Sequence, residues 1–167
     1  MFAHVHMPSL GRATEWLDSG PLGPVELRGH VVLVDFWTLT CINWLRTEPY
    51  IRAWSQAYRN DRLVLIGVHT PKFSSEHQIG RVRQATKERG STTRRGRQRL
   101  RNLERLRHHD WPALYFVDTD GIIRDHHVGE GRYEQSERAI QRLLGVEREL
   151  VCVEGLGVLI GVLGVPP

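Results

Sequence analysis

The sequence predicts an α/β fold in which a central mixed β-sheet is flanked by α-helices. Two short apolar runs, Val31 to Phe36 and Leu63 to Val68, have the length and β-branched content of buried parallel strands. A helical pattern separates them, so the three segments predict a βαβ unit. Trp111 to Asp118 and Ile122 to Val128 are predicted as two further strands joined by a tight turn, and this antiparallel pair makes the sheet mixed.

The composition is that of one globular domain. The 167 residues are enough for a sizeable core, and 40% hydrophobic and 25% charged residues are ordinary values. Cys41 and Cys152 are the only two cysteines, which excludes a disulfide framework. No apolar stretch reaches the ~20 residues of a membrane span, and Met1 to Pro8 lacks the basic and apolar regions of a signal peptide.

The chain before the central strand is predicted to form a short strand and a turn. Thr14 to Leu17 has a strand-like pattern, and Ser19 to Pro24 contains two Gly-Pro pairs that favour a turn. Val25 to Gly29 then leads into the central strand. After that strand and a polar loop, a helix is predicted from apolar positions at three- and four-residue steps. These positions are Leu45, Ile51, Trp54 and Tyr58.

The second half of the chain is predicted to contain one helix before the hairpin and one after it. Glu76 to Arg89 is polar with few apolar positions, which predicts a surface helix that ends at Gly90. Asp118 to Gly121 has the composition of the hairpin turn. Tyr133 to Leu144 is amphipathic and predicts a terminal helix. Its apolar face consists of Ile140, Leu143 and Leu144.

Cys41 is the main candidate for chemistry. It follows the polar loop Thr38 to Thr40 and immediately precedes the predicted helix. The partial positive charge and free amides of a helix N-terminus stabilise a thiolate. Two interpretations follow from this placement alone: a reactive thiol, or a small buried hydrophobic residue without reactivity.

The residues around Cys41 resemble the active-site segment of the thioredoxin superfamily, in particular its extracytoplasmic TlpA-like and DipZ-like thiol-disulfide oxidoreductases. The residues in register with that pattern are Asp35, Phe36, Trp37, Cys41 and Pro49. The family has a second cysteine three residues after the first, whereas this chain has Trp44 there and the motif is Cys-Ile-Asn-Trp. The resemblance extends over residues 7–90 and 110–145.

The resemblance implies a thioredoxin-like fold and thiol-disulfide exchange with protein thiols or disulfides, without a cofactor. Cys41 would be the nucleophile that forms a mixed disulfide. Asp35 would be the buried carboxylate that accepts the proton of the second cysteine, or only a satisfied core carboxylate where that thiol is missing. Pro112 would follow a cis peptide bond and lie beside Cys41. The implied peptide-binding surface consists of Trp37, Trp111 and Pro112.

The resemblance also bears on partners and compartment. Members of the family usually work outside the cytoplasm on a membrane anchor, although no signal peptide or membrane span is visible in this sequence. A monomer is expected. No metal site is predicted, because His126 and His127 are adjacent on one strand and therefore point to opposite faces.

Trp44 removes the resolving step and leaves three classes of function. The first is a single-thiol oxidoreductase that is resolved by an external thiol such as glutathione. The second is a non-catalytic binding module, and the third is a decayed copy. A Trp44→Cys substitution is expected to create the missing disulfide, because residues three apart at a helix start lie on one face. The ring of Trp44 is expected to cover the Cys41 sulfur.

Ser91 to His109 differs from the rest of the chain in charge. Its seven arginines and single glutamate give a formal charge of +6, and the whole chain has +4, so the remainder carries −2. Three interpretations compete: a solvated basic helix, a patch that binds nucleic acid or an anionic membrane, and a segment translated out of frame.

The out-of-frame interpretation is favoured over nucleic-acid binding by the genetic code. With suitable synonymous codons, one nucleotide string encodes Val-Asp-Asn-Asp-Tyr-Ala-Thr-Trp-Asn-Ala-Phe, which resembles the DipZ-like family at this position. The same string shifted by two nucleotides encodes Arg97 to Arg107. We therefore expect residues 91–109 to lie outside the sheet. The leucines expected to lie away from the core are Leu100, Leu103 and Leu106.

Residues 1–146 are thus predicted to form a single thioredoxin-like domain with an aberrant segment at 91–109. Residues 147–167 are an unassigned tail, apolar and rich in glycine from Gly155 to Pro167. Cys152 lies in this tail, and nothing in the sequence places it near Cys41.

Overall fold

The computed structural model describes residues 5–10, 13–17, 19–71, 73–88, 94–98 and 110–153. Strands, α-helices and one short 3₁₀ helix alternate along them. In chain order they are β1 (Ala13–Leu17), α1 (Pro24–Leu27), β2 (Val31–Trp37), α2 (Ile42–Ala57), β3 (Leu63–His69), the 3₁₀ helix (Ser74–His77), α3 (Ile79–Glu88), β4 (Arg94–Gln98), β5 (Ala113–Val117), β6 (Ile123–Val128) and α4 (Tyr133–Leu144).

The strands form one mixed sheet in the order β1-β4-β3-β2-β5-β6, which confirms the predicted fold class. β2 pairs in parallel with β3 on one side and antiparallel with β5 on the other. β5 and β6 are the predicted antiparallel pair. The turn between them is closed by a 2.9 Å hydrogen bond from the amide of Asp118 to the carbonyl of Ile122. Gly121 in this turn has a φ of +79°, which glycine adopts without steric cost.

β2 is buried along its whole length because both faces of the sheet are covered. Successive side chains of a strand point to opposite faces. Val31 and Leu33 pack with apolar residues of α2 and α4, whereas Val32 and Phe36 pack with α1 and the segment 5–10. Asp35, the one carboxylate of β2, lies on the face of the sheet that α2 covers. It is near the C-terminal end of the strand.

Arg94–Gln98 forms β4, so the expectation that residues 91–109 lie outside the sheet is wrong for these five. β4 pairs in parallel with β3 and antiparallel with β1. Sheet pairing uses backbone N–H and C=O groups, which every residue except proline supplies, so an arginine-rich strand can extend the ladder. The out-of-frame interpretation itself remains a prediction. The leucines named for it, Leu100, Leu103 and Leu106, lie outside the described residues.

Two helical segments differ from the prediction. Pro24–Leu27 forms the short helix α1, which proline suits because a first-turn residue needs no backbone donor. The helix predicted from Glu76 to Arg89 is divided: Glu76 belongs to the 3₁₀ helix and is buried, and α3 begins only at Ile79.

The terminal helix agrees with the prediction. α4 has the predicted bounds, Ile140 is fully buried, and Leu143 and Leu144 pack against the same apolar cluster. The apolar tail Gly155 to Pro167 lies outside the described residues. None of the helices that the structure describes has both the length and the hydropathy needed to cross a membrane.

Candidate active site

Cys41 lies where the sequence predicts it, between the end of β2 and the start of α2. It is the N-cap residue of α2: its carbonyl accepts a 3.0 Å hydrogen bond from the amide of Leu45. The amide of Cys41 donates to the carbonyl of Thr38 at 3.2 Å, which closes the polar loop. The thiol is partly exposed, and its Sγ lies 3.5 Å from the carbonyl oxygen of Trp111.

The Trp111–Pro112 peptide bond is cis and lies beside Cys41, as predicted. The indole N–H of Trp111 donates to the hydroxyl of Thr70, and the amide of Thr70 donates to the carbonyl of Trp37 at 2.8 Å. The loop that carries Trp111 is thereby fixed to the end of β2.

A groove of about 470 Å³ opens at the cysteine. It is lined by Thr38, Thr40, Cys41, Asn43, Phe73, Asp110, Trp111, Val128 and Gly129. Phe73 is 53% exposed and Val128 is exposed, and the neighbouring Ile42 is 58% exposed. The thiol is therefore accessible from solvent along a surface with an apolar rim, which suits a peptide segment better than a small ion.

The predicted peptide-binding roles of Trp37, Trp111 and Pro112 stay predictions, and the three residues differ in their placement. Trp37 is only 1% exposed and does not line the groove, because its ring stacks on Trp44 within the core. Pro112 is buried behind the groove surface. Trp111 does line the groove, so its predicted role in peptide binding remains open as a proposal.

Trp44 occupies the resolving position as a core residue. It is 1% exposed, and its ring stacks on Trp37 with a centroid distance of 4.3 Å and an interplanar angle of 21°. Its indole Nε1 donates a 2.9 Å hydrogen bond to Oδ2 of Asp35. The expectation that the ring covers the Cys41 sulfur stays a prediction. Cys41 packs against the cluster that contains Trp44, and it also lines the groove, which Trp44 does not.

Asp35 therefore accepts an indole N–H at the place where the family pattern has a second thiol. The carboxylate is buried, and such a group needs hydrogen-bond donors to be tolerated in a core. The second thiol, on which the implied proton-transfer role of Asp35 depends, is missing. What remains accessible is Cys41 and the groove around it.

Comparison with known proteins agrees with this geometry. A thioredoxin-like protein studied in its oxidised form in solution superposes with a TM-score of 0.76, at 22% identity over 86% of this chain and 98% of that one. A thiol-disulfide isomerase from Corynebacterium glutamicum gives a TM-score of 0.76 at 17% identity, over 87% and 98%. Protein DipZ of Mycobacterium tuberculosis is 36% identical over 141 residues. The chain belongs to the thioredoxin superfamily.

Within the superfamily it is a DipZ-like redoxin domain of the thiol-disulfide oxidoreductase family. The match covers 82% of this chain but only 20% of DipZ, so the chain spans about a fifth of that relative. NHL repeat-containing protein 2 of Gallus gallus is 31% identical over 135 residues, which are 77% of this chain and 18% of that protein. No protein-family model matches the sequence.

Glu76 is a residue of this redoxin domain that sequence reasoning missed. It is 1% exposed, and Oε1 accepts hydrogen bonds from the amide of Thr40 at 3.0 Å and from its hydroxyl at 2.7 Å. Oε2 accepts from the amide of Phe73 at 3.1 Å. The only local signal is the spacing of Phe73 and Glu76, since an acidic residue three positions after an N-cap commonly bonds back to it.

Cys152 does not take part in the site. It is exposed, and it lies close enough to Tyr50 to contribute, after burial and Tyr133, to raising the pKa of that phenol.

The described part of the chain contains no group of three or more His, Cys, Asp or Glu side chains arranged to hold a metal ion. His127 is half-buried, and burial, followed by the charge of Arg132, lowers the pKa of its imidazole. The ring of His126 instead stacks on Tyr115.

Proposed function

We propose that this domain is a single-thiol member of its family, in which Cys41 forms mixed disulfides with protein partners that an external thiol then releases. The observation that carries the proposal is the contrast at the two motif positions. Cys41 is partly exposed in a groove, whereas Trp44 is buried, stacked and hydrogen-bonded. The nucleophile is kept and the resolving position has become part of the core.

The chemistry proceeds in two exchanges. The Cys41 thiolate attacks one sulfur of a partner disulfide, forms a new S–S bond, and expels the other sulfur as a thiolate that takes a proton from water. An external thiolate such as that of glutathione then attacks the partner's sulfur. The bond to Cys41 breaks, Cys41 leaves as a thiolate, and the partner departs as a mixed disulfide with glutathione. No electrons are gained or lost by the domain over the cycle.

The packing of Trp44 argues against a decayed copy. An indole buried at random would leave its N–H without an acceptor, at a cost of about 1–3 kcal/mol. Here the N–H reaches Asp35, and the ring lies flat on Trp37. Large aromatic side chains that find both an apolar stack and a polar acceptor stabilise a core. The substitution is therefore compatible with a well-formed site.

Mass spectrometry of the adduct tests the proposal. The purified domain is mixed with a peptide disulfide, and the adduct is mapped by digestion under non-reducing conditions. Because Cys152 is also an exposed thiol, both variants are compared in a Cys152→Ser background. Cys152→Ser should carry one peptide per chain on Cys41 and lose it on addition of glutathione, and the further Cys41→Ser substitution should abolish the adduct. Absence of a Cys41 adduct in a folded sample would contradict the proposal, and peptide retention by Cys41→Ser would then favour a binding module.

A further inference from the structure

We propose that Glu76 is a positioning residue that sets the peptide preference of the Cys41 groove, by tying the loop before the cysteine to Phe73. The inference rests on the proposed function, because it concerns how a partner reaches the same thiol. It adds a residue outside the Cys-Ile-Asn-Trp motif, 36 positions along the chain from Thr40.

The carboxylate joins two separate parts of the groove. Through Oε1 it holds both the amide and the hydroxyl of Thr40, the residue directly before Cys41. Through Oε2 it holds the amide of Phe73, at the start of the 3₁₀ helix. Thr40, Cys41 and Phe73 all line the groove, and Phe73 contributes its exposed apolar ring.

The strength of these contacts makes the tie effective. Glu76 is buried, so its carboxylate depends on the donors around it. Hydrogen bonds to an ionised carboxylate are about twice as strong as neutral ones. The Thr40 hydroxyl lies 2.7 Å from Oε1, which is within the range for such bonds. Two backbone segments that share one buried acceptor cannot shift independently without breaking a bond.

The functional consequence is a fixed distance between the thiol and the apolar rim. A peptide that places an aromatic side chain beside its cysteine can contact Phe73 while its sulfur reaches Cys41. If the loop before Cys41 and Phe73 moved independently, a peptide could still reach the thiol. Its aromatic side chain would then seldom contact Phe73 at the same time. Glu76 thus acts on the partner's side chains through Phe73 and does not itself touch the reacting sulfurs.

The test uses two symmetrical peptide disulfides, the dimers of acetyl-Phe-Cys-Phe-amide and acetyl-Gly-Cys-Gly-amide. The readout is the ratio of their second-order rate constants for adduct formation on Cys41 in the full chain. Glu76→Gln replaces one acceptor oxygen by an amide donor. We expect it to lower the Phe-to-Gly preference by about tenfold, the equivalent of one hydrogen bond to a charged group.

Glu137→Gln is the matched control. Glu137 is also a buried carboxylate with several donors, but these come from Trp54, Tyr58 and Val151, away from the groove. It should lose stability and keep the preference of the unmodified chain. If Glu76→Gln and Glu137→Gln give the same preference, Glu76 has only a structural role and the inference is overturned.

Two further comparisons keep the inference testable if Glu76→Gln folds poorly. Thr40→Val removes the hydroxyl bond to Glu76 and should lower the Phe-to-Gly preference. Thr40→Ser keeps a hydroxyl and should keep the preference of the unmodified chain. Phe73→Ala should lower the preference to the same level alone as in combination with Glu76→Gln, because both act on one contact. Additive effects in the combined variant, or equal behaviour of Thr40→Val and Thr40→Ser, would overturn the inference. An unmodified chain that reacts with neither peptide would instead refute the proposed function.

Discussion

Two buried carboxylates of this domain each accept an indole N–H from a tryptophan of α2. Asp35 accepts from Trp44 at 2.9 Å, and Glu137 accepts from Trp54 at 3.1 Å. Glu137 is a buried structural carboxylate. It also accepts hydrogen bonds from the hydroxyl of Tyr58 at 2.6 Å and from the amide of Val151 at 2.9 Å. It joins α2, α4 and the segment after α4.

The Asp35–Trp44 pair lies at the position of the family's redox motif. At Asp35 the family pattern has a carboxylate that serves a second thiol, but in this chain the carboxylate binds tryptophan in the way that Glu137 does. The difference lies in the neighbours. Cys41 packs against the Trp37–Trp44 cluster and opens on a groove, whereas Glu137 is enclosed by core residues and the C-terminal segment. Reactivity at this end of α2 therefore depends on Cys41 alone.

The largest effect is expected from Trp44→Cys, which converts the Asp35 pair back to a thiol pair. Replacing a buried tryptophan by a small residue leaves a cavity and should lower the free energy of unfolding by about 3–5 kcal/mol. In a Cys152→Ser background without any added thiol, the new thiol should form a disulfide with Cys41 and release a second equivalent of peptide thiol from a symmetrical peptide disulfide. Denaturant unfolding and a count of the released thiol measure the two effects.

Trp44→Ser is the control for that variant, since it leaves a similar cavity without a thiol. It should be as unstable as reduced Trp44→Cys and release only one equivalent of peptide thiol in the same Cys152→Ser background. Release of a second equivalent by Trp44→Ser would contradict the assignment of the second step to the thiol at position 44.

A smaller effect is expected from replacing each tryptophan by phenylalanine, which keeps an aromatic ring and removes the N–H. Loss of a donor to a buried carboxylate should cost about 1–3 kcal/mol. Trp54→Phe should fall at the low end, because Glu137 keeps the donors of Tyr58 and Val151. Denaturant midpoints measure both variants. An unchanged denaturant midpoint in either variant would contradict the stabilising role assigned to that hydrogen bond.

The smallest effect concerns pH and is confined to the Glu137 region. Burial, followed by the hydrogen bond to Glu137, raises the pKa of Tyr58 from 10.0 to about 12. The folded state therefore holds this proton more tightly than the unfolded state. Its contribution to stability is complete below about pH 10 and is lost as the pH rises toward about 12. Tyr58→Phe should remove this slope in the unfolding free energy, and an unchanged slope would contradict the assignment.

The parts of the fold that were predictable carry local signals. β2 and β3 are continuous apolar runs, α4 has a clear amphipathic period, and Cys41 falls between a strand and a helix pattern. The resemblance predicts the cis bond before Pro112 and its place beside Cys41, and the structure agrees with both.

The remaining features depend on contacts between distant residues. β4 is made by backbone pairing, which its arginine-rich sequence does not signal. The bond from Trp44 to Asp35 and the tie from Glu76 to Thr40 require the tertiary fold to bring the partners together. Composition and periodicity contain no information on such pairs. The sequence therefore predicts Glu76 on a surface helix, although its carboxylate is buried.

The central claim, that Cys41 attacks and nothing within the chain resolves, is tested most directly by counting turnovers. The Cys152→Ser variant is used, because Cys152 is an exposed thiol that would add its own equivalent. A symmetrical peptide disulfide is added in excess over the reduced variant, without any other thiol, and the released peptide thiol is followed with time. The account predicts a burst of one thiol per chain and then no further release until glutathione is added. Continued release beyond one equivalent, in the absence of an added thiol, would contradict it.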